Sequence, residues 1–193
     1  MKLKVYDFDD TLAVSSGIIK LHRGGEERVY LSHEFVGYSP ESGDTLCFSD
    51  LNHLTKVRLV LSNWREISED HSCPNTDVLI VTSRPPGASS AIEKLLSKFG
   101  MSVEGVHAVG SGNPMDKVSV IDRAMSRRNY KYAKFIDDNP KMVKAVESFF
   151  HGCGVCDWSA VHHPHDLLTE CNLSEELGDF KSDAYGMWRQ TVG

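Results

Sequence analysis

Short apolar runs alternate along this chain with segments in which apolar residues recur every three or four positions. The first two runs are mostly apolar rather than strictly alternating, which favours strands buried on both faces of a sheet, whereas the spaced segments are typical of amphipathic helices. The apolar runs are 3–8, 77–82, 103–109 and 132–136, and the helical segments are 89–99, 117–128 and 141–150. Strands and helices in this order predict an α/β fold with a parallel sheet.

The stretch 14–76 interrupts this alternation. Its segments 18–22 and 28–31 flank a glycine-containing turn and predict a β-hairpin, and 32–35 predicts a short helix. The periodicity of 51–67 fits either a strand or a helix. Because this connection is too long for a simple strand-to-helix loop, we expect a small cap inserted after the first strand.

The pattern divides the chain into a core and an extension. Residues 1–150 form the predicted core with its inserted cap, and 151–193 form a C-terminal extension packed on or appended to that core. The extension contains a short strand near Val155 and an amphipathic helix near its end. A length of 193 residues fits one elaborated domain better than two full domains.

Charge and composition exclude several classes of protein. The net charge of -6 argues against a protein that coats a polyanion, although it is compatible with a local phosphate-binding patch. No apolar run approaches the roughly 20 residues needed to span a bilayer. Asp7 follows the N-terminus too soon for a signal peptide, so we expect a cytoplasmic protein with no membrane partner. Five cysteines, an odd number, favour free thiols over a disulfide framework.

The first predicted strand ends in the sequence Asp7-Phe8-Asp9-Asp10-Thr11. Ligands of an open parallel sheet bind at the carboxyl ends of its strands. Asp7 and Asp9 can both reach one site there, and their like charges need a cation or hydrogen bonds. Such a pair suits Mg²⁺, which binds a few carboxylates together with phosphate oxygens of a substrate.

Other predicted strand ends bring complementary groups to the same edge of the sheet. They are Thr82, Ser83 and Arg84 after one strand, Asp137 and Asp138 after another, and Lys117 at the start of a helix. Carboxylates hold a metal ion, while hydroxyl and ammonium groups neutralise a phosphoryl group during its transfer. The sequence therefore predicts a site for phosphoryl chemistry.

Four ordered motifs of this chain resemble those of the haloacid dehalogenase (HAD) superfamily of phosphohydrolases. They are Asp7-x-Asp9-x-Thr11, then Thr82 after an apolar strand, Lys117 at a helix start, and Asp137-Asp138 after a strand. The resemblance covers about residues 3–150. It implies a Rossmann-like HAD fold, a three-layer α/β/α arrangement with a small cap, Mg²⁺ as cofactor and a phosphoric monoester hydrolase activity.

The resemblance also implies a role for each matching residue. Asp7 is the expected nucleophile, which forms an aspartyl-phosphate, and Asp9 is the expected acid and base. Thr82 binds a phosphoryl oxygen, and Lys117 neutralises charge on Asp7 and the phosphoryl group. The expected metal ligands are Asp7, Asp137, Asp138 and the backbone carbonyl of Asp9, with the direct ligand among Asp137 and Asp138 left open. Thr11, Ser83 and Arg84 are the candidates for substrate binding.

Some of these residues have more than one interpretation. Asp10 is interpreted as a solvated turn residue. Arg84 either contacts a substrate phosphate through two parallel hydrogen bonds or pairs with an acid, and the sequence favours neither. Lys117 competes with three lysines between 131 and 141, and it is preferred because it lies between the second and fourth motifs and begins a helix.

Two further patterns have a structural and a functional interpretation. A zinc site is suggested by Cys153, Cys156, His162, His163, His165 and Cys171. Only the first half has regular ligand spacing, so free thiols and a histidine-rich loop are favoured. Residues 127–132 interleave basic and aromatic side chains, as nucleic-acid surfaces do, but a basic helix C-terminus followed by a strand is favoured.

The stretch between Thr82 and Lys117 has room only for a helix and a strand, so the insertion 14–76 is the only candidate for a cap. The character of this insertion therefore bears on the substrate class. The hairpin followed by 30–35 and 48–51 is similar to small HAD-like proteins encoded by phages and to the 3′-phosphatase part of polynucleotide end-healing enzymes. This looser similarity implies a nucleic-acid 3′-phosphate end or a nucleotide as substrate, in the cytoplasm of a host cell. A small-metabolite phosphomonoesterase and a non-catalytic HAD-like binding module are the open alternatives.

Overall fold

A computed structural model of the chain describes residues 1–35, 38, 41–153, 157–163 and 170–172. Its strands are β1 (Lys2–Tyr6), β2 (Ala13–Val14), β3 (Ile18–Arg23), β4 (Glu26–Leu31), β5 (Thr45–Cys47), β6 (Arg58–Val60), β7 (Thr76–Thr82), β8 (Gly105–Ala108), β9 (Tyr132–Asp137), β10 (Asp157–His162) and β11 (Glu170–Asn172). Its helices are α1 (Ser32–Phe35), α2 (Leu61–His71), α3 (Ser89–Lys98), α4 (Pro114–Arg127) and α5 (Pro140–Gly152). The chain is therefore α/β, as its alternating pattern predicts.

Within the part of the chain that the structure describes, the central sheet is parallel and has five strands in the order β10–β9–β1–β7–β8. In the middle strand, Tyr6 lies opposite Ile80 of β7 and Ile136 of β9. Successive side chains of a strand point to opposite faces, so Val5 and Tyr6 enter different cores. α2 and α3 cover the face of Tyr6, and α4 and α5 cover the face of Val5. This double coverage explains why the end of β7, residues 78–81, is a continuous apolar run.

α4 and α5 both begin at the edge where the parallel strands end. Each starts with an Asn-Pro pair, in which the asparagine side chain caps the helix and proline takes the first helical position. Asn113 accepts a hydrogen bond from the backbone N–H of Met115, and Asn139 accepts one from that of Lys141. Because α4 begins at this edge of the sheet, Lys117 in its first turn lies there as well.

The cap is a small antiparallel sheet in the order β4–β3–β5. Its β3–β4 hairpin and the short helix α1 agree with the elements predicted from the sequence. Ile19 and Leu21 of β3 are buried, whereas most of β4 is exposed. The cap therefore packs mainly through β3.

α2 lies within the predicted insertion 14–76 but packs on the central sheet. Its Trp64 and Ile67 are three positions apart on one face of the helix, and both are buried in the core that contains Tyr6. The ambiguous stretch 51–67 holds both types of element, because β6 runs directly into α2. The strands of the cap sheet span only 18–47, less than the insertion predicted from the sequence.

The central sheet also extends beyond residue 150. β10 pairs with β9 in parallel, and its Trp158 and Ala160 pack on the core under α4 and α5. As an edge strand with mixed polar and apolar residues, β10 lacks the pattern of a buried strand, so the sequence placed it in an extension. Val155 and the amphipathic helix expected near the end lie outside the described residues. Among the helices that are described, none is long and apolar enough to cross a membrane.

Candidate active site

Asp7 and Lys117 meet at the carboxyl edge of the central sheet. Asp7 directly follows the middle strand, and Lys117 Nζ lies 2.6 Å from its Oδ1. The same ammonium lies 2.8 Å from Oδ2 of Asp137, which ends β9. All three side chains are almost completely buried. Lys117 therefore bridges two neighbouring strand ends, although it is far from both aspartates in the sequence.

A cluster of three carboxylates surrounds this ammonium. Asp7, Asp137 and Asp138 each offer one oxygen, and these oxygens lie within 4.8 Å of one another. Three carboxylates and one ammonium leave two negative charges in excess when all are ionised. Hard oxygen donors with that excess charge fit Mg²⁺. The fourth predicted metal ligand, the backbone carbonyl of Asp9, is not a side-chain oxygen and stays a prediction.

The pKa shifts at the cluster reflect its burial and its excess of negative charge. Burial raises the pKa of Asp7 well above its usual range, Lys117 opposes this rise, and Asp137 and Asp138 add to it. Burial also raises the pKa of Asp138 to about 8, with Asp137 and Asp10 contributing. Burial alone would lower the pKa of Lys117, but Asp137 and Asp7 outweigh burial and raise it. A bound divalent cation would favour the ionised carboxylates.

Asp9 forms an ion pair with Arg84 through both of its carboxylate oxygens. Nη2 of Arg84 lies 2.7 Å from Oδ1 of Asp9, and Nε lies 2.8 Å from Oδ2. Nη1 donates to the backbone carbonyls of Leu51 and His53, at 2.8 Å and 3.1 Å, and Nη2 also donates to the hydroxyl of Ser15. The five N–H donors of the guanidinium are thereby all used.

These contacts decide between the two interpretations of Arg84. Its side chain is 1% exposed and pairs with an acid, so it is not placed to bind a substrate phosphate as predicted. The reason is that the turn at 49–53 and the loop after β1 enclose it from two sides. Arg84 instead connects the Asp9 carboxylate to the chain segment that follows the cap sheet.

The other predicted substrate-binding residues lie at the same edge of the sheet. Thr82 ends β7, is 1% exposed, and its hydroxyl accepts a hydrogen bond from the backbone N–H of Arg84 at 3.3 Å. Ser83 is partly buried. Thr11 is completely buried, and its Oγ1 accepts a hydrogen bond from the backbone N–H of Asp138 at 3.0 Å. In this structure the Thr11 hydroxyl joins the loops after β1 and β9, and its contact with substrate stays a prediction.

Asp10 corrects a second expectation. Instead of a solvated turn residue, it is a left-handed residue with φ 56° that is only 3% exposed. Asp is one of the few residue types that adopt this conformation at low energetic cost. The turn that requires it is closed by hydrogen bonds from the backbone N–H of Asp10 to the carbonyl of Ala13, and from those of Leu12 and Ala13 to Phe8. The turn leads directly into β2, which pairs with β6, and Asp10 is buried in the folded chain.

The predicted zinc ligands are only partly within the described residues. Cys153 is free and exposed, whereas Cys156, His165 and the side chain of Cys171 lie outside the description. His162 and His163 bind other groups: Nε2 of His162 lies 2.7 Å from the carbonyl oxygen of Asp138, and Nδ1 of His163 lies 2.7 Å from Oδ1 of Asn63. Where the structure describes the chain, the candidate metal ligands that it brings together are the three aspartates.

Asn63 is a residue of this site that the sequence pattern did not reveal. It is 1% exposed on α2, and its Nδ2 donates to the backbone carbonyl of Thr11 at 2.8 Å. Its signal in the sequence is a polar residue beside Trp64, on the side of the helix that faces the core. That signal is weak, because the period of this stretch is itself ambiguous.

The basic and aromatic stretch 127–132 has a structural role. Arg128 donates to Oδ2 of Asp77 at 2.6 Å, and the hydroxyl of Tyr130 donates to the same oxygen at 2.6 Å. α4 ends just before these residues, and β9 begins just after them. The favoured interpretation, a basic helix C-terminus followed by a strand, agrees with this arrangement.

Comparison of the chain with protein-family models, with curated proteins and with solved structures finds no match in any of the three. The likeness to the HAD superfamily therefore rests on the four motifs quoted from the sequence. What the chain can do chemically depends on the side chains at the sheet edge.

Proposed function

We propose that this protein is a Mg²⁺-dependent phosphohydrolase that forms an aspartyl-phosphate on Asp7 and acts on a nucleic-acid 3′-phosphate end or a nucleotide. The observation that carries the proposal is the contact of Lys117 with Asp7 and Asp137 beside Asp138. A carboxylate nucleophile, a buried ammonium and a set of metal-type ligands occupy one edge of a parallel sheet. Ligands bind at such an edge.

The donor set supports the cofactor. Asp7, Asp137 and Asp138 would hold Mg²⁺, since their carboxylates are hard oxygen ligands and their total charge exceeds that of the single ammonium. When bound, the ion would neutralise charge on the phosphoryl oxygens. Lys117 is placed to contribute a second positive charge at the same point, and as a buried ammonium it acts in a low dielectric.

Asp7 is suited to attack phosphorus. One of its oxygens, Oδ1, is held by Lys117, which orients the carboxylate. As a carboxylate oxygen of Asp7 forms its bond to phosphorus, the bond from phosphorus to the ester oxygen breaks, and the phosphoryl group passes to Asp7. Hydrolysis of this aspartyl-phosphate by water releases phosphate and restores the carboxylate.

Asp9 is the proposed proton carrier. It gives a proton to the leaving ester oxygen and takes one from the water that attacks the aspartyl-phosphate. Both of its oxygens bind Arg84 in this structure, so Asp9 must weaken one of these hydrogen bonds when it takes up a proton.

A panel of phosphate esters tests the proposal. The purified protein is assayed with Mg²⁺ against an aryl phosphate, mononucleotides, and oligonucleotides with a 3′- or 5′-phosphate. We expect Mg²⁺-dependent phosphate release and the highest kcat/KM on 3′-phosphorylated oligonucleotides or on nucleotides. Asp7→Asn should lower kcat at least about 1,000-fold, because the neutral amide is a poor nucleophile.

The matched control is Asp122→Asn, the same chemical change at an exposed position of α4. It should leave the rate unchanged. Wild-type rates in the Asp7 variant would overturn the nucleophile assignment. Absence of Mg²⁺-dependent turnover on every ester would favour the non-catalytic binding module instead.

A further inference from the structure

Asp137, the last residue of β9, and Asp138, the residue after it, are held in place by hydrogen bonds to their backbone groups. The N–H of Asp138 donates to Oγ1 of Thr11 at 3.0 Å. The N–H of His163 donates to the carbonyl oxygen of Asp137 at 3.1 Å, and Nε2 of His162 lies 2.7 Å from that of Asp138. A carbonyl oxygen only accepts hydrogen bonds, so Nε2 of His162 carries a proton and donates it.

Asn63 connects two of these anchors. Its Nδ2 lies 2.8 Å from the carbonyl oxygen of Thr11, and its Oδ1 lies 2.7 Å from Nδ1 of His163. Because the Thr11 carbonyl can only accept, the amide nitrogen must face it and the amide oxygen must face the histidine. Nδ1 of His163 therefore carries a proton and donates to Asn63.

These contacts close a ring that links four parts of the fold. The ring runs through Thr11, Asn63, His163, Asp137 and Asp138 and returns to Thr11. It ties together the loop after β1, α2, the end of β10 and the loop after β9. A buried amide is unfavourable unless it is hydrogen-bonded, so Asn63 strongly favours this one arrangement of the loops.

We propose that Asn63, His162 and His163 are positioning residues that hold Asp137 and Asp138 in place for a divalent cation. The inference rests on the Mg²⁺ site of the proposed function and adds residues that do not themselves contact the ion. Groups that orient metal ligands typically change metal affinity about 10- to 100-fold when they are removed. The affinity for Mg²⁺ therefore depends on the end of β10 and on α2.

The test measures Mg²⁺ affinity directly, by the shift of the thermal unfolding midpoint in a titration with MgCl₂. His162→Ala and His163→Ala should weaken apparent Mg²⁺ binding about 10-fold. His162→Gln and His163→Asn should keep an affinity close to that of the wild type, since their amide N–H groups can replace Nε2–H and Nδ1–H. Rescue by these variants distinguishes a positioning role from loss of packing.

His71→Ala is the matched control. His71 is partly buried, and its ring also makes one hydrogen bond to a backbone carbonyl, that of Ser102 at 3.0 Å, but it lies at the far end of α2. This variant should bind Mg²⁺ like the wild type. His162 is exposed, so His162→Ala is the decisive variant, and circular dichroism checks that it is folded.

The outcomes separate this inference from the proposed function. Equal Mg²⁺ affinity in folded His162→Ala and in the wild type would overturn the positioning role. A wild-type protein whose unfolding midpoint does not respond to Mg²⁺ would overturn it as well. Mg²⁺ binding that is sensitive to His162, without turnover of any phosphate ester, would support the positioning role and overturn only the hydrolytic function.

Discussion

Replacing Lys117 by methionine perturbs the electrostatic centre of the candidate site. Methionine keeps an unbranched apolar stem of similar length but removes the ammonium that lies 2.6 Å from Asp7 and 2.8 Å from Asp137. The lysine is 2% exposed, so in the variant little water reaches the carboxylates to solvate their charge. The buried carboxylates of the variant therefore lose the cation that offsets their charge.

Two independent considerations give the size of the effect. Removing one partner of a buried ion pair lowers the free energy of unfolding by about 3–5 kcal/mol. Alternatively, the variant protonates one carboxyl: at pH 7, and with an ordinary pKa of about 3.9, this costs roughly 4 kcal/mol. For a chain of this length, such a loss lowers Tm by roughly 8–16 °C.

The second consideration also predicts the pH dependence. Lys117 opposes the rise in the pKa of Asp7, so its loss raises that pKa further above the unfolded value. A group with a raised folded-state pKa contributes stability below its unfolded pKa and loses it as the pH rises. The deficit of the variant should therefore widen with pH, from at most about 1.5 kcal/mol at pH 5 to several kcal/mol at pH 8.

Urea unfolding followed by circular dichroism, with EDTA present, measures this deficit at pH 5 and pH 8. Lys94→Met, at an exposed position of α3, is the control and should change stability little. Adding Asp7→Asn to the Lys117 variant should recover part of the loss, because it removes one unpaired charge. A Lys117 variant within about 1 kcal/mol of the wild type at pH 8 would refute the reasoning.

Two further substitutions test ion pairs outside the cluster. Arg84→Lys should lower the free energy of unfolding by about 2 kcal/mol or more, because an ammonium cannot make two parallel hydrogen bonds to Asp9 and also reach two carbonyls; unchanged urea stability would contradict this. Burial raises the pKa of Glu66, but ion pairs with Lys134 and Lys4 outweigh burial and hold the pKa below its usual value. Its stabilisation is therefore present above the unfolded pKa and is lost as the pH falls, so Glu66→Gln should flatten the decline of Tm between pH 6 and pH 3; equal slopes in variant and wild type would be the contrary result.

The sequence predicted the elements that carry the site, since each has a local signal. Apolar runs mark the strands, and polar residues directly after them mark the strand ends. The helical spacing of apolar residues in 117–128 and 141–150 marks α4 and α5, which begin at Pro114 and Pro140. From these signals, Asp7, Lys117, Asp137 and Asp138 could be expected at one edge of the sheet, where the structure brings them together.

Other features could not be predicted because they depend on neighbours that are distant in the chain. Asp9 and Arg84, which form an ion pair, are 75 positions apart in the sequence. The hydrogen bond from the backbone N–H of Asp138 to the hydroxyl of Thr11 spans 127 positions. Asp10 was expected in water because its local sequence is a polar turn. The structure buries Asp10 in a turn that leads into β2, and β2 pairs with β6, a strand about 45 residues further along the chain that nothing in the pentapeptide encodes.

The sequence by itself determined the class of fold and the chemistry of the strand ends, because hydrophobic period and residue type are local properties. Three features required the tertiary structure. Arg84 pairs with Asp9, and β10 extends the central sheet next to β9. Asn63 and His163 take part in the ring of hydrogen bonds that includes Asp137 and Asp138. These features depend on which buried polar groups find partners. For these groups the partners lie far away in the chain, so their pairing depends on how the elements pack together.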